Sequence, residues 1–139
     1  MIREAEPEDL QAVLPIMKKI FDESIFKNCA FKGSEVQRAF AVIAAFDHGY
    51  AKVYEENGVI KGLLCGAVAA NQWGVLCAQD TFFSSDGGTA RLLKDFINWS
   101  KDMGAEFVQI AEFTGIERYQ RLLELHGLKR SGSLYIGGL

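Results

Sequence analysis

The stretch Val75-Leu76-Cys77-Ala78-Gln79-Asp80-Thr81-Phe82-Phe83, then Ser84-Ser85-Asp86-Gly87-Gly88-Thr89, then Ala90-Arg91-Leu92-Leu93-Lys94-Asp95-Phe96-Ile97-Asn98-Trp99-Ser100, decides the fold. Its first nine residues read as a strand. Residues 84–89 are the densest turn signal in the chain. Ala90, Leu92, Leu93, Phe96, Ile97 and Ser100 then describe one face of a helix that stops near Gly104. Glu106-Phe107-Val108-Gln109-Ile110-Ala111 is a compact second strand, and two strands joined through a helix pair in parallel by a right-handed crossover. The glycines let the backbone curl so that several amides point at one spot, and the helix start adds positive potential there, which makes an anion site. The spacing lacks the Lys-Ser/Thr of a Walker A loop and the three spaced glycines of a dinucleotide fingerprint. A plain tight connection from strand to helix accounts for the same turn.

Upstream, Ile2-Arg3-Glu4-Ala5 reads as a short strand and Glu6-Pro7-Glu8-Asp9 as a helix start, with proline at the first helical position and acids in the first turn. Leu10, Val13, Leu14, Met17 and Phe21 carry that helix, which Pro15 is expected to bend. Residues 27–33 lack a period and read as a loop. Ser34-Glu35-Val36-Gln37 fits a capping box, and Val36, Phe40, Ile43 and Ala44 form the stripe of a second helix stopped by Asp47-His48-Gly49. Tyr50-Ala51-Lys52-Val53-Tyr54-Glu55 and Val59-Ile60 flank Asn57-Gly58, the strongest short hairpin signal, and the second arm runs on over 62–69. Downstream, Thr114-Gly115 opens a last helix with Tyr119, Leu122, Leu123 and His126 on one face. Gly127-Leu128 ends it, and Ser133-Leu134-Tyr135-Ile136 reads as a closing strand. No repeat or low-complexity linker interrupts this order. It predicts one α+β (layered α/β) domain over residues 1–139, a central mixed sheet flanked by about four helices.

A chain of 139 residues suffices for one domain with a core and falls short of two ordinary ones. A hydrophobic share of 49% and a mean hydropathy of +0.04 exclude disorder over most of the length. Fifteen Lys+Arg against eighteen Asp+Glu leave a net charge of −3, with no global basic field for nucleic acid or anionic lipid. The acid-bearing N-terminus lacks the regions of a signal peptide and no apolar run spans a bilayer, so a soluble intracellular protein is expected. Cys29, Cys65 and Cys77 are odd in number and far apart, without Cys-x-x-Cys or zinc spacing, so neither a disulfide framework nor a metal site is expected.

Ile2-Arg3-Glu4-Ala5-Glu6-Pro7-Glu8-Asp9-Leu10 resembles the opening strand and first helix of the GCN5-related N-acetyltransferase (GNAT) family. Residues 75–110 resemble that family's acyl-CoA motif: Gly88-Thr89-Ala90 fits the Gly-x-Ala end of its turn, Leu92-Leu93 the apolar pair, and Trp99-Ser100-Lys101-Asp102-Met103-Gly104-Ala105 the helix exit. Gly127-Leu128 stands where the family commonly has Gly-Phe. The resemblance covers essentially the whole chain. Through the paired Gly87-Gly88 and the tryptophan-containing central segment it is closest to small acetyltransferase-like proteins of bacteriophages and prophages. It implies a GNAT-like fold whose parallel strands, 75–83 and 106–111, splay apart at the glycine-turn end. It also implies acetyl-CoA as co-substrate in that gap and transfer of its acetyl group to a primary amine. Two positions depart from the family pattern. Ser85 stands at the Arg/Gln position, followed by Asp86 beside the expected pyrophosphate, and Leu123 stands where many members carry the tyrosine that protonates the departing thiolate.

On this resemblance Phe82, Phe83, Ser85, Asp86, Gly87, Gly88, Thr89, Ala90 and Arg91 form the expected coenzyme A site. The amides of 86–90 face the pyrophosphate, an amide near Phe82 or Phe83 polarises the thioester carbonyl, and Arg91 is the nearest cation. Asp80 lies where the family places the carboxylate that takes the amine's proton; an amine must be neutral to attack a thioester. The alternative for Asp80 is a strand-end carboxylate that caps or pairs at the surface. Glu112 follows the second parallel strand and either reaches the same cleft or is solvated. Tyr119 offers a phenol as general acid one helical turn before Leu123, or packs in the core. Arg118 and Arg121 read as a solvated helix face, His126 as a capping or packing histidine, and Cys65 and Cys77 as buried small hydrophobes.

The expected function is therefore N-acetyl transfer from acetyl-CoA to an amine borne by a small molecule or a protein, in the cytoplasm, or the host cytoplasm if the chain is phage-encoded. No nucleic-acid, membrane or metal partner is expected, and a homodimer paired through C-terminal strands stays open. Ser85, Asp86 and Leu123 keep a second function in play, a catalytically weak or inactive GNAT-like binding module that engages a host or virion partner.

Overall fold

The computed structural model describes residues 1–132 and 134–139. Asn57 and Gly58 sit at φ of 52° and 75°, the left-handed pair that a tight hairpin requires. They join strands Gly49–Glu56 (β2) and Val59–Ala70 (β3) in antiparallel register, with Val53 opposite Leu63. Ile2–Glu4 (β1) pairs antiparallel with β2, and Leu76–Ser85 (β4) antiparallel with β3. Phe107–Gln109 (β5) completes the sheet, in the order β1-β2-β3-β4-β5. β5 runs parallel to β4, with Cys77, Ala78 and Gln79 opposite Phe107, Val108 and Gln109, as the strand-helix-strand order requires. The helices are Leu10–Glu23 (α1), entered through a 3-10 turn over Pro7–Asp9, then Gly33–Ala45 (α2), Thr89–Asp102 (α3) and Glu117–Leu125 (α4). Among the described residues this is the mixed sheet with one parallel pair and four helices that the sequence predicts.

Because successive side chains of a strand point to opposite faces, the sheet feeds two cores. Ala51, Val53, Leu63 and Cys65 pack with Val13 and Met17 of α1 and Phe40 of α2. Tyr50, Tyr54, Leu64, Val68 and Ala78 pack with Leu92 and Phe96 of α3. The second core is aromatic: the Phe96 ring lies 5.0 Å from Tyr50, edge-on, and 5.7 Å from Trp99, stacked. Burial and the Asp95 carboxylate, which accepts from the Tyr50 hydroxyl at 2.7 Å, push that phenol far above its usual range. The chain start is clamped by Arg3, whose guanidinium donates to both oxygens of Asp9 at 2.7 and 2.9 Å and reaches Glu55 at 3.3 Å. Asp9 also accepts the Glu6 amide at 2.8 Å, so its carboxyl is held below, and Arg3 above, the ordinary value.

Several local expectations are corrected. Among the described residues Ser34 caps nothing: α2 starts two residues earlier than that cap implies, at Gly33, with Lys32 at the cap and its carbonyl accepting the amides of Glu35 and Val36. The expected closing strand has Ser133 outside the described residues, and Leu134, Tyr135 and Ile136 form no strand and are exposed. β5 spans three residues where six are expected, and β4 runs two residues further, through Ser84 and Ser85, than the sequence suggests. Among the described residues, no helix is long and apolar enough to cross a membrane, and no group of three or more His, Cys, Asp or Glu could hold a metal.

Candidate active site

β4 and β5 share three residue pairs and part beyond Gln79 and Gln109. At that point β4 carries a bulge: Cys65 pairs with Phe82 and Gly66 with Asp80, so Thr81 is the extra residue. A bulge bends the strand that carries it, a local reason for the two strands to separate here. The Asp86 amide donates to the Lys61 carbonyl at 2.9 Å, and the register over 82–85 against 62–65 is unbroken. Antiparallel ladders alternate, so Ser84 and Phe82 bond to β3 while the amides of Phe83 and Ser85 turn the other way, into the gap.

The gap ends at the glycine turn. Gly87 and Gly88 adopt φ of 86° and 67°, a conformation that disfavours any residue with a Cβ. Gly88 meets a second constraint, because a Cβ there would lie 2.5 Å from the Tyr54 ring; at Gly87 it would meet open space. The Ser85 hydroxyl donates to the Gly87 carbonyl, and Thr89 Oγ1 donates to the Ser85 carbonyl at 3.1 Å, so both side chains fix the turn. α3 begins at Thr89 with no capping side chain, and its first intrahelical bond runs from Leu92 to Gly88. Among the described residues, nothing accepts a hydrogen bond from the amides of Gly87, Gly88, Thr89, Ala90 or Arg91. The Asp86 amide, expected to belong to this set, is engaged by Lys61 and drops out of it. Its carboxylate is met by Lys19 of α1 at 3.1 Å, and that hydrogen bond raises the lysine's pKa. No local pattern signals Lys19, since it lies 67 residues from its partner. Arg91 is exposed at the first turn of α3.

A cavity of about 510 Å³ occupies the gap. Its walls come from the end of α1, β4 from Gln79 to Ser84, the chain after β5, and Tyr119, Leu122 and Leu123 of α4. Asp80 stands at the vertex, where its Oδ1 accepts the Ala111 amide at 2.9 Å and so continues the β4–β5 contact by a side chain after the ladder has stopped. Burial pushes its carboxyl up to about 6, against the opposing pull of that amide. A second cavity of about 370 Å³, floored by Ala67, Ala69 and Ala70, shares Gln79, Asp80 and Thr81 with the first. Asp80 therefore borders both.

The remaining candidates separate. Tyr119 is half-buried in the cavity wall, and among the described residues its phenol has no hydrogen-bond partner. Glu112 also lines the cavity, but its carboxylate accepts from the amides of Thr114 (2.6 Å) and Gly115 (3.0 Å) and from the Thr114 hydroxyl, and so ties the turn that leads into α4. Phe82 packs against the α1–α2 core and Phe83 against the α3 core. Arg121 pairs with Glu117 on the solvated face of α4, and His126 Nδ1 lies 2.9 Å from the Leu122 carbonyl at its end. Burial raises the Cys65 thiol to about 12, which leaves it inert. Four rings, Phe21, Phe26, Phe31 and Phe113, meet at the cavity from separate segments, and the three phenylalanines spaced across 21–31 are the one local sign of them.

The sequence matches no protein-family model and no curated protein. Solved structures share its fold over its whole length. A predicted acetyltransferase with acetyl-CoA from Clostridium acetobutylicum superposes with a TM-score of 0.78 at 17% identity, covering 99% of this chain and 95% of that one. Glucosamine-6-phosphate N-acetyltransferase from Arabidopsis thaliana gives 0.72 at 14%, covering 100% and 97%. A transcriptional regulator from Bacillus halodurans gives 0.79 at 20%, covering 100% and 99%. The likeness is one of fold, and that fold is GNAT-like.

Proposed function

We propose that this chain is an N-acetyltransferase that moves the acetyl group of acetyl-CoA to a primary amine. The observation that carries the reading is one gap with unpaired amides of Gly87 to Arg91 at its open end, the Phe83 and Ser85 amides along its side, and Asp80 at its vertex. In this reading the amides and the positive end of α3 receive the pyrophosphate, with Lys19 and Arg91 nearby. The Phe83 amide donates to the thioester carbonyl and stabilises the oxyanion that forms on attack. Asp80, ionised above about pH 6, takes a proton from the substrate ammonium. The freed lone pair attacks the carbonyl carbon, the C–N bond forms, the C–S bond breaks, and the thiolate leaves. It is reprotonated by the Tyr119 phenol or by water, because Leu123 has no proton to give, and the second proton that the nitrogen sheds as the amide forms restores the phenol or passes to water. The products are an amide, coenzyme A and one released proton. Glu112 acts at one remove, through the turn that sets α4 and with it Tyr119.

Leu123 on the cavity wall favours a second reading, a module that binds acetyl-CoA without efficient turnover. Coenzyme A release over an amine panel, for the parent, Asp80→Asn and Tyr119→Phe, separates the two. Amine-dependent release that falls about 10²–10⁴-fold in Asp80→Asn and less in Tyr119→Phe supports the enzyme. Equal rates in all three remove both assignments, and no release from a chain that binds acetyl-CoA supports the module.

A further inference from the structure

The cavity extends past the gap into a slot between the end of α1 and the chain after β5. There the Phe21 ring lies 5.3 Å from Phe31 and the Phe26 ring 5.5 Å from Phe113, and all four line the cavity. Glu23, also in the wall, has no hydrogen bond or ion pair to its carboxylate among the described residues, and Asp80 lies deeper in the same space. Among the described residues, no lysine, arginine or histidine lines this cavity; the nearby Lys19, whose charge interacts with Glu23, is turned to Asp86 outside it. An aromatic slot that carries carboxylates and lacks cations complements a ligand with the opposite arrangement, one positive charge on an apolar body.

We infer that the acceptor is a primary ammonium on an aromatic body, with the phenylalanine slot holding the ring, Glu23 meeting the cation on entry and Asp80 receiving its proton at the thioester. The inference rests on the reading that acetyl-CoA occupies the gap. A phosphorylated amino sugar would bring an anion to a wall without cations. A polyamine would leave its further charges against phenylalanine rings, where a buried unpaired charge is costly. The competing occupant of the slot is a longer acyl chain, but an acyl chain gives Glu23 nothing to bind.

The test uses the full chain with acetyl-CoA and compares 2-phenylethylamine, spermidine and glucosamine by coenzyme A release, while the melting temperature reads acetyl-CoA binding separately. The expected result is a kcat/KM for 2-phenylethylamine at least about tenfold above the other two, the scale on which apolar pocket contacts discriminate. Glu23→Gln and Phe26→Ala should each raise the KM for 2-phenylethylamine several-fold with an unchanged acetyl-CoA-induced melting shift; Phe26 is 40% exposed, so its truncation leaves the core intact. A preference for spermidine or glucosamine overturns the inference, as does hexanoyl-CoA outpacing acetyl-CoA with the same amine. If no amine is acetylated, calorimetry of 2-phenylethylamine against the coenzyme A complex decides, and absent heat overturns it. Failure of acetyl-CoA to shift the melting temperature strikes the proposed function itself and the inference falls with it, which distinguishes the two failures.

Discussion

Asp80→Asn measures what it costs the fold to keep a carboxylate at the vertex of the splayed strands. Burial raises its pKa from 3.8 to about 6, even though the Ala111 amide at 2.9 Å favours the charged form. About two pK units at roughly 1.4 kcal/mol each put that cost near 3 kcal/mol when Asp80 is ionised. The folded chain binds this proton more tightly than the unfolded one. The associated stability is therefore fully present below about pH 3.8, declines as pH rises toward about 6, and is absent at pH 7 and above. Asparagine has nearly the same shape, keeps an oxygen for the Ala111 amide and is neutral throughout. The variant should melt above the parent at pH 7.5 by up to about 3 kcal/mol, on the order of 6–10 °C for a domain of this size, and the difference should shrink toward zero as pH falls to 4. Calorimetric melts of both proteins across pH 4–8 read this directly. The same variant should lose the inflection near pH 6 in kcat/KM along with most of its turnover, a gain in stability at the expense of function. A variant that melts no higher than the parent at pH 7.5, with a gap that does not change with pH, refutes the reasoning.

Gly88→Ala should lose about 2 kcal/mol or more, from the left-handed backbone and the contact with Tyr54, whereas Gly87→Asn should melt close to the parent because its Cβ meets open space and asparagine tolerates that conformation. Arg3→Ala should cost about 1–3 kcal/mol at pH 7 by leaving Asp9 half-satisfied in a partly buried site. Because Asp9 is held below its ordinary value, that contribution is present above about pH 3.8 and fades as pH falls through the lowered value, so acid melts of the two proteins should converge. Asp86→Asn should tighten acetyl-CoA several-fold at low salt by removing a carboxylate beside the anion site and releasing Lys19, an effect that 0.5 M salt should largely erase.

What was legible in the sequence was what short-range chemistry dictates. Asn57-Gly58 forms its hairpin because two adjacent residues tolerate positive φ, and β4, α3 and β5 fall in order because a parallel pair needs a crossover helix. Ser34 and Gln37 match the capping-box pattern, but the helix begins two residues sooner, with Lys32 at the cap and its carbonyl accepting the Glu35 and Val36 amides. Leu134, Tyr135 and Ile136 are a short run with strand propensity, and propensity alone supplies no partner edge. At the site, the glycines were legible and the use of each amide was not: Asp86 loses its N–H to Lys61 and gains Lys19 for its carboxylate, both through contacts distant in sequence. Gly88 reads as a ligand-binding glycine, yet it is also required by the Tyr54 ring, which only packing reveals. Likewise the Phe21, Phe26, Phe31 and Phe113 slot exists because α1, the segment after it and the chain after β5 converge on one cavity.

Whether the amide-lined gap binds acetyl-CoA is read by a calorimetric titration of acetyl-CoA into the parent chain and into Gly87→Asn, paired with melts of each at saturating ligand. One site per chain is expected, with the parent stabilised by about 2.7 kcal/mol at one hundred times its Kd and binding about tenfold weaker in Gly87→Asn, which adds a side chain beside the unpaired amides. No heat and no melting shift at millimolar acetyl-CoA, or identical affinity in the two proteins, would contradict it.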